Sequence, residues 1–248
     1  MKRAIRDAGT EGRSSSGLLY EVKTIVAQHP SLALPLARRR GHGEVVDGAT
    51  EIVIEGYPRA ASSFAVAAFR AAQQRPVRIA HHVHAPAQLV EAARRRIPAL
   101  ALIRDPEDAL ISYVIRYPDI PMRSAGRGYL RFYRPLLRLR PRLVTATFEE
   151  VVGDFGPVIR RVNERFATSF KVFEHNEENV ARVFEEIDAD YRTRLEEGPK
   201  FESVVPRPSE LRTRLKEDLQ REFRSPDFER LRTSLDSLYR RFAGPPPT

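Results

Sequence analysis

The segment Glu51-Ile-Val-Ile-Glu-Gly-Tyr-Pro-Arg-Ala-Ala-Ser-Ser-Phe64 constrains the fold more than any other stretch of this chain. An apolar run, Ile52 to Ile54, stops at Gly56; a short loop follows, and an apolar-periodic helix begins near Ser62. Strand, tight loop and helix N-terminus together form a cradle for an anion. The first N–H groups of a helix lack intrahelical partners, and its dipole favours negative charge there. Arg59, Ser62 and Ser63 sit where such an anion would lie. The loop lacks the Lys of a Walker A sequence, which weighs against an ordinary ATP site.

The pattern repeats downstream. Val77–Ala80 reads as a short strand ending in His81-His82-Val83-His84, and Ala87–Arg96 as a helix closed by Pro98. Ala99–Ile103 is a continuous apolar run of strand length, as expected of a strand buried on both faces of a parallel sheet. Arg104-Asp105-Pro106 ends it, and a helix follows from Glu107 to about Arg116. Leu143–Phe148 reads as another buried strand, and Val158–Phe166 as a helix. Leu18–Leu36 reads as partly helical, Arg38–Gly43 as a loop, and Gly128–Leu139 as an amphipathic helix rich in Arg and Tyr. Strands alternating with helices predict an α/β three-layer sandwich with a central, mainly parallel sheet. In such sheets ligands bind beyond the carboxyl ends of the strands, where the three notable loops fall. Residues 1–16 read as a mobile tail, 17–243 as one domain and 244–248 as a frayed end.

Composition narrows the function. The chain has 248 residues, 42% of them apolar and 30% charged, which fits a globular domain with a sizeable core. There is no cysteine, which excludes disulfides and thiolate chemistry. No apolar run reaches the ~20 residues that span a bilayer and no secretory segment follows Met1, pointing to a cytoplasmic setting. Net charge is +9, with only five Lys among 42 basic residues, a bias that fits GC-rich, bacterial-type coding. A basic surface can attract nucleic acid, but no nucleic-acid-binding signature accompanies the charge. No cluster of acidic or thiol side chains demands a metal, and three clustered histidines without further partners do not make a zinc site. A homodimer is compatible with the sequence.

Arg104-Asp-Pro-Glu-Asp-Ala-Leu-Ile-Ser112 places an Arg at a strand end and a Ser on the helix that follows. The planar guanidinium fork suits a phosphate, and Ser112 could add a neutral donor. Taken alone, Arg104 could equally pair with Asp105 or Asp108. Together with the first segment, this run resembles PAPS-dependent sulfotransferases, which use 3′-phosphoadenosine 5′-phosphosulfate. Gly-Tyr-Pro-Arg-Ala-Ala-Ser-Ser-Phe64 is similar to that family's 5′-phosphosulfate loop, and Arg104…Ser112 to its 3′-phosphate motif. His82-Val-His-Ala-Pro86 resembles the stretch that carries its catalytic histidine, and Thr147–Val151 resembles its Tyr-Glu-Asp-Leu segment. The resemblance covers roughly residues 50–170.

The resemblance implies roles. Arg59 would bind the 5′-phosphate and bridging oxygen, Ala60, Ala61, Ser62 and Ser63 would form the phosphosulfate loop, and Phe64 would stack on adenine. Arg104 and Ser112 would clamp the 3′-phosphate, with Arg207, Arg212 or Arg214 standing in for a further contact. His84 would act as general base, with His82 beside it. The implied reaction moves a sulfuryl group from PAPS to a hydroxyl, less readily an amine, of a small-molecule or glycan acceptor, leaving PAP and requiring no metal. Positioning and charge stabilisation should dominate such a transfer, and a neutral His near its ordinary pKa of ~6.5 can take the acceptor's proton. The loop departs from the family pattern at Ala60-Ala61, where Ser-Gly is usual. Ala61 is compatible with the site if its backbone is helical or bridging rather than left-handed. In an extended segment His82 and His84 would share one face and His81 the other. A P-loop nucleotide kinase or NTPase, and a non-catalytic bisphosphonucleotide-binding or interaction protein, are the competing readings.

Overall fold

Successive residues of a β-strand face opposite sides of a sheet; the strand Ala99–Ile103 is apolar and buried on both, while Val144–Thr147 alternates buried Val144 and Ala146 with half-buried Thr145 and Thr147. The computed structural model describes residues 16–41, 43–194 and 210–244. Helices α1 (residues 16–26) and α2 (Pro30–Arg40) precede strand β1 (Ile52–Gly56) and helix α3 (Ser62–Ala72). Then come β2 (Ile79–His81), α4 (Pro86–Arg95), β3 (Ala99–Ile103), α5 (Pro106–Arg116) and α6 (Met122–Tyr133). A 3-10 segment, Arg134–Arg142, leads into β4 (Val144–Thr147), α7 (Phe148–Gly153) and α8 (Gly156–Phe166). Helices α9 (Glu177–Arg194), α10 (Glu210–Arg224) and α11 (Glu229–Ala243) complete the described chain.

The sheet is parallel throughout, in the order β2-β1-β3-β4. Val53, Ala99, Ala101 and Ile103 bury against one layer that includes α4, α5, α6 and α11. Ile52, Ile54, Leu100, Leu102 and Ala146 bury against the opposite layer, built on Phe64 and Phe69 of α3 and Val158, Ile159 and Val162 of α8. The result is the three-layer α/β sandwich that the strand–helix alternation predicts. The order reverses between β1 and β3, so the loops after these two strands diverge to opposite faces and leave a crevice between them.

Local sequence explains the helix starts that frame this crevice. Asp105 caps α5, its carboxylate accepting from the N–H groups of Glu107 and Asp108 at 2.9 and 3.3 Å, with Pro106 pre-set at the first helical position. Thr147 and Glu150 form a reciprocal capping box at α7. Ala61 precedes α3 and offers no capping side chain.

Three local expectations change. Arg38–Arg40 continue α2 as its last turn, where arginines complement the helix dipole, and Gly41 closes it in the left-handed conformation. The Tyr-Arg helix begins earlier, at Met122, and gives way at Arg134-Pro135 to the 3-10 segment. Ser16 is already in α1; the rest of the expected tail, and 245–248 of the C-terminal end, lie outside the described residues.

Candidate active site

The crevice between the β1 and β3 loops opens into a cavity of about 1210 Å³. Arg59, Ala61, Ser62, Ser63, Phe64, His82, His84, Arg104 and Ser112 all line it. Three separate stretches of sequence are thereby brought to one place. Ala60 is the exception: it is buried under the loop and does not reach the cavity. Arg207 lies outside the described residues, and Arg212 and Arg214 belong to the part of α10 whose side chains are outside them too.

The loop after β1 is strained. Arg59 and Ala61 have φ of 76° and 66°. For a residue with a Cβ this left-handed backbone costs about 1–2 kcal/mol. The expectation of a helical or bridging Ala61 is therefore overturned. Ala occupies a position whose geometry suits glycine, and the loop keeps that geometry because both ends are fixed. Gly56 lies against the Leu102 carbonyl on β3, and the buried Tyr133 hydroxyl donates to that same carbonyl at 2.7 Å while accepting from the Tyr57 N–H at 3.2 Å.

Side chains across the cavity are linked. Arg59 Nε donates to Ser112 Oγ at 2.9 Å, so the hydroxyl contributed by α5 meets the β1 loop. Arg104 stacks its guanidinium 4.0 Å above the Phe148 ring and reaches the Arg59 carbonyl at 3.4 Å. Asp108 is only loosely paired with it, at 3.7 Å. The Tyr129 hydroxyl donates to the Arg104 carbonyl at 2.7 Å and fixes the strand end. Two polar atoms here, Ser62 Oγ and Arg104 Nε, are buried with no hydrogen-bond partner. Buried donors are rarely left so, and both belong to residues facing the cavity. Phe64, though it reaches the cavity wall, is only 5% exposed and packs among Phe173, His175 and Phe184 at centroid distances of 5.5–6.3 Å.

The histidine segment is not extended. His82 and His84 have φ of 59° and 52°, which turns the chain at each and brings the two rings to 5.7 Å in a T-shape. His82 Nε2 lies 3.2 Å from Ser63 Oγ, and His81 pairs with Arg70 at 2.8 Å. Gly43 makes this packing possible: a Cβ there would lie 2.5 Å from the His81 carbonyl oxygen.

His84 is held by Glu55, a residue that sequence reasoning missed. Glu55 is fully buried at the end of β1. It accepts from the N–H groups of Gly56, Val83 and His84 at 3.0–3.1 Å and from Gln88 Nε2 at 3.3 Å. His84 Nδ1 lies 3.0 Å from the Gly56 carbonyl and 3.5 Å from Glu55 Oε1. Both neighbours are acceptors, so Nδ1 carries the proton and Nε2 is left with a lone pair when the ring is neutral. Burial pushes the imidazole pKa down and Lys23 adds to this, but the Glu55 hydrogen bond and charge, with the Gly56 carbonyl, outweigh them and hold it above the ordinary value. A lone acid inside the apolar run Ile52-Val-Ile-Glu-Gly56 was the available signal for Glu55.

Lys23 and Tyr20 of α1 also line the cavity. Burial, with Arg40 nearby, lowers the Lys23 pKa. Burial pushes the Tyr20 hydroxyl up to about 12, and it shares a 2.9 Å hydrogen bond with Tyr57. Lys23 could have been noticed as one of five Lys in a chain that otherwise uses Arg.

The site is thus a strand–loop–helix at the switch point of a parallel sheet, lined by the cations Arg59 and Arg104, with a positioned imidazole beside it. No family model matches the chain, and no curated protein matches its sequence. Among solved structures it is similar to the mouse sulfotransferase SULT7A1 complexed with PAP, at a TM-score of 0.41 and 9% identity, over 81% of this chain and 87% of that one. At that distance the comparison assigns no substrate and no residue role to this chain.

Proposed function

We propose that the cavity binds PAPS and that the protein transfers its sulfuryl group to a hydroxyl of a small-molecule or glycan acceptor. One observation carries this reading: Arg59, Ser62, Ser63, His84, Arg104 and Ser112 converge on a single cavity around two partnerless buried polar atoms, Ser62 Oγ and Arg104 Nε. The donor set suits a ligand with separated anionic groups. Bound PAPS would supply an activated sulfuryl group on a phosphate leaving group.

The chain's own residues have distinct parts in this scheme. Arg59, the uncapped N–H groups of α3 and the Ser62 and Ser63 hydroxyls form the cradle for a phosphosulfate. Arg104, flat on Phe148, offers its fork to the 3′-phosphate. The uncapped start of α3 matters because leaving-group charge is best met by fixed dipoles that need not reorganise. Neutral His84, with Nδ1–H turned to the Gly56 carbonyl, presents Nε2 to take the acceptor's proton.

Calorimetry on the purified protein tests the cradle. Adenosine 3′,5′-bisphosphate should bind much more tightly than AMP, and Arg104→Ala should erase that preference. Equal affinities of the unaltered protein for the two nucleotides would defeat the assignment.

A further inference from the structure

Among the described residues, the large hydrophobic side chains left exposed are concentrated at one end of the chain. Leu18, Leu19, Val22 and Ile25 on α1 are 46–72% exposed, and Leu32 and Leu36 on α2 are 57% and 38% exposed. The spacing of Leu18, Val22 and Ile25, and of Leu32 and Leu36, makes one apolar stripe on each helix. Tyr20 of α1 and Ala33 and Leu34 of α2 bury into the same core layer. The outward stripes of the two consecutive helices therefore both point away from that layer. Both stripes lie outside the buried core, and exposed apolar side chains grouped in this way mark a docking surface.

Charge identifies the partner. Residues 16–41 contain Lys23, Arg38, Arg39 and Arg40 but a single acid, Glu21. Glu21 is turned inward and paired with Arg127 and Arg131. Arg39 and Arg40 are exposed and form no ion pair among the described residues. A second copy of this chain docking through a two-fold axis would double the cations at the interface while adding no unpaired acid from residues 16–41 to meet them. An anionic lipid surface satisfies both features, since apolar side chains enter the headgroup boundary while Lys and Arg meet lipid phosphates.

We propose that α1 and α2 form a peripheral docking surface for an anionic lipid bilayer. The flank of α1 next to the stripe carries Leu19 and Lys23, which line the cavity. Docking would therefore set the mouth of the cavity against the membrane. Amphiphilic molecules partitioned in the lipid would then reach His84 without crossing water. The surface itself stands on exposure and charge alone and does not depend on the chemistry proposed for the cavity.

Vesicle co-sedimentation with the full chain tests this. The protein should sediment with vesicles containing roughly one-third phosphatidylglycerol, stay in solution with phosphatidylcholine alone, and be released by high salt. Arg39→Gln and Arg40→Gln should each weaken binding about fivefold. Leu18→Ser with Val22→Ser should weaken it at least about tenfold. Leu215→Ser, an exposed apolar position on α10 outside the two stripes, should leave it unchanged. Circular dichroism should show every variant folded. Absent binding, equal binding to both vesicle types, or an equal loss in Leu215→Ser would overturn the proposal. So would a stable dimer by light scattering that the Leu18→Ser/Val22→Ser pair dissociates, because a second copy would then be the occupant.

Discussion

Glu55→Gln is the substitution that most directly tests how His84 is set up. It keeps shape and volume but removes a charge whose Oε1 lies 3.5 Å from His84 Nδ1. An opposite charge at that range favours the imidazolium and raises the His84 pKa, as the Glu55 hydrogen bond and charge do here. Burial and Lys23 act in the other direction and remain in the variant. His84 should therefore titrate above the ordinary ~6.5 in the unaltered protein and at or below it in Glu55→Gln. The amide must also face a donor, since one side of the carboxylate accepts from Val83 and His84 N–H and the other from Gly56 N–H. Leaving a buried donor unmet costs about 1–3 kcal/mol. The stability loss should depend on pH. A histidine whose folded pKa is raised contributes stability that is fully present below its unfolded value and lost as pH rises through the folded value. The variant should thus be penalised more at a pH of about 5 than at about 9. Imidazole C–H resonances followed by NMR, assigned with His84→Gln, and urea unfolding at both pH values read the two effects. A His84 pKa unchanged by Glu55→Gln would refute the electrostatic coupling, whatever the stability did. If His84 is also the base, the acid limb of the activity profile should move to lower pH in the variant, because more of the imidazole is then neutral.

Other outcomes follow from the same geometry. Ala61→Gly should stabilise the protein by about 0.5–1 kcal/mol in urea unfolding, because relief of left-handed strain exceeds the added chain entropy; a destabilised variant would contradict the φ of 66°. Gly56→Ala should destabilise strongly, since a Cβ there would lie 2.7 Å from the Leu102 carbonyl oxygen, and an unchanged melting temperature would contradict the close approach of β1 and β3. Tyr133→Phe should cost about 1–3 kcal/mol by leaving the buried Tyr57 N–H without the Tyr133 hydroxyl and removing a hydrogen bond to the Leu102 carbonyl, while sparing the secondary structure in circular dichroism.

The sheet was legible where burial is two-sided. Ala99–Ile103 matches its strand residue for residue, because a run with no polar side has one use in an α/β fold. The residues grouped by motif also reach one cavity, because parallel strands all end on the same edge and the loops must gather there. Backbone conformation was not legible. Nothing in Ala60-Ala61 or His82-Val83-His84 signals left-handed φ, since Ala and His normally avoid it and the reason lies in contacts with β3, Glu55 and Gly43. The side-chain pairing was hidden for a related reason. Ser112 bonds Arg59, 53 residues away, and sequence spacing linked it only to Arg104.

Glu55 ties these observations together. A carboxylate buried without donors would cost several kcal/mol, and a histidine segment with two left-handed residues costs about 2–4 kcal/mol by itself. Each arrangement is unfavourable alone. Together, the turns at His82 and His84 aim the Val83 and His84 N–H groups at Glu55 Oε2, forming two charge-assisted bonds of about 1.5–3 kcal/mol each. The strain and the buried charge offset one another to within a few kcal/mol. The geometry that satisfies the carboxylate also puts Nδ1 of His84 on the Gly56 carbonyl. Orientation, tautomer and pKa of the imidazole thus follow from one buried acid at the end of β1. The same strand end carries the Gly56 turn into the Arg59 loop, so the His84 imidazole and that loop share one support.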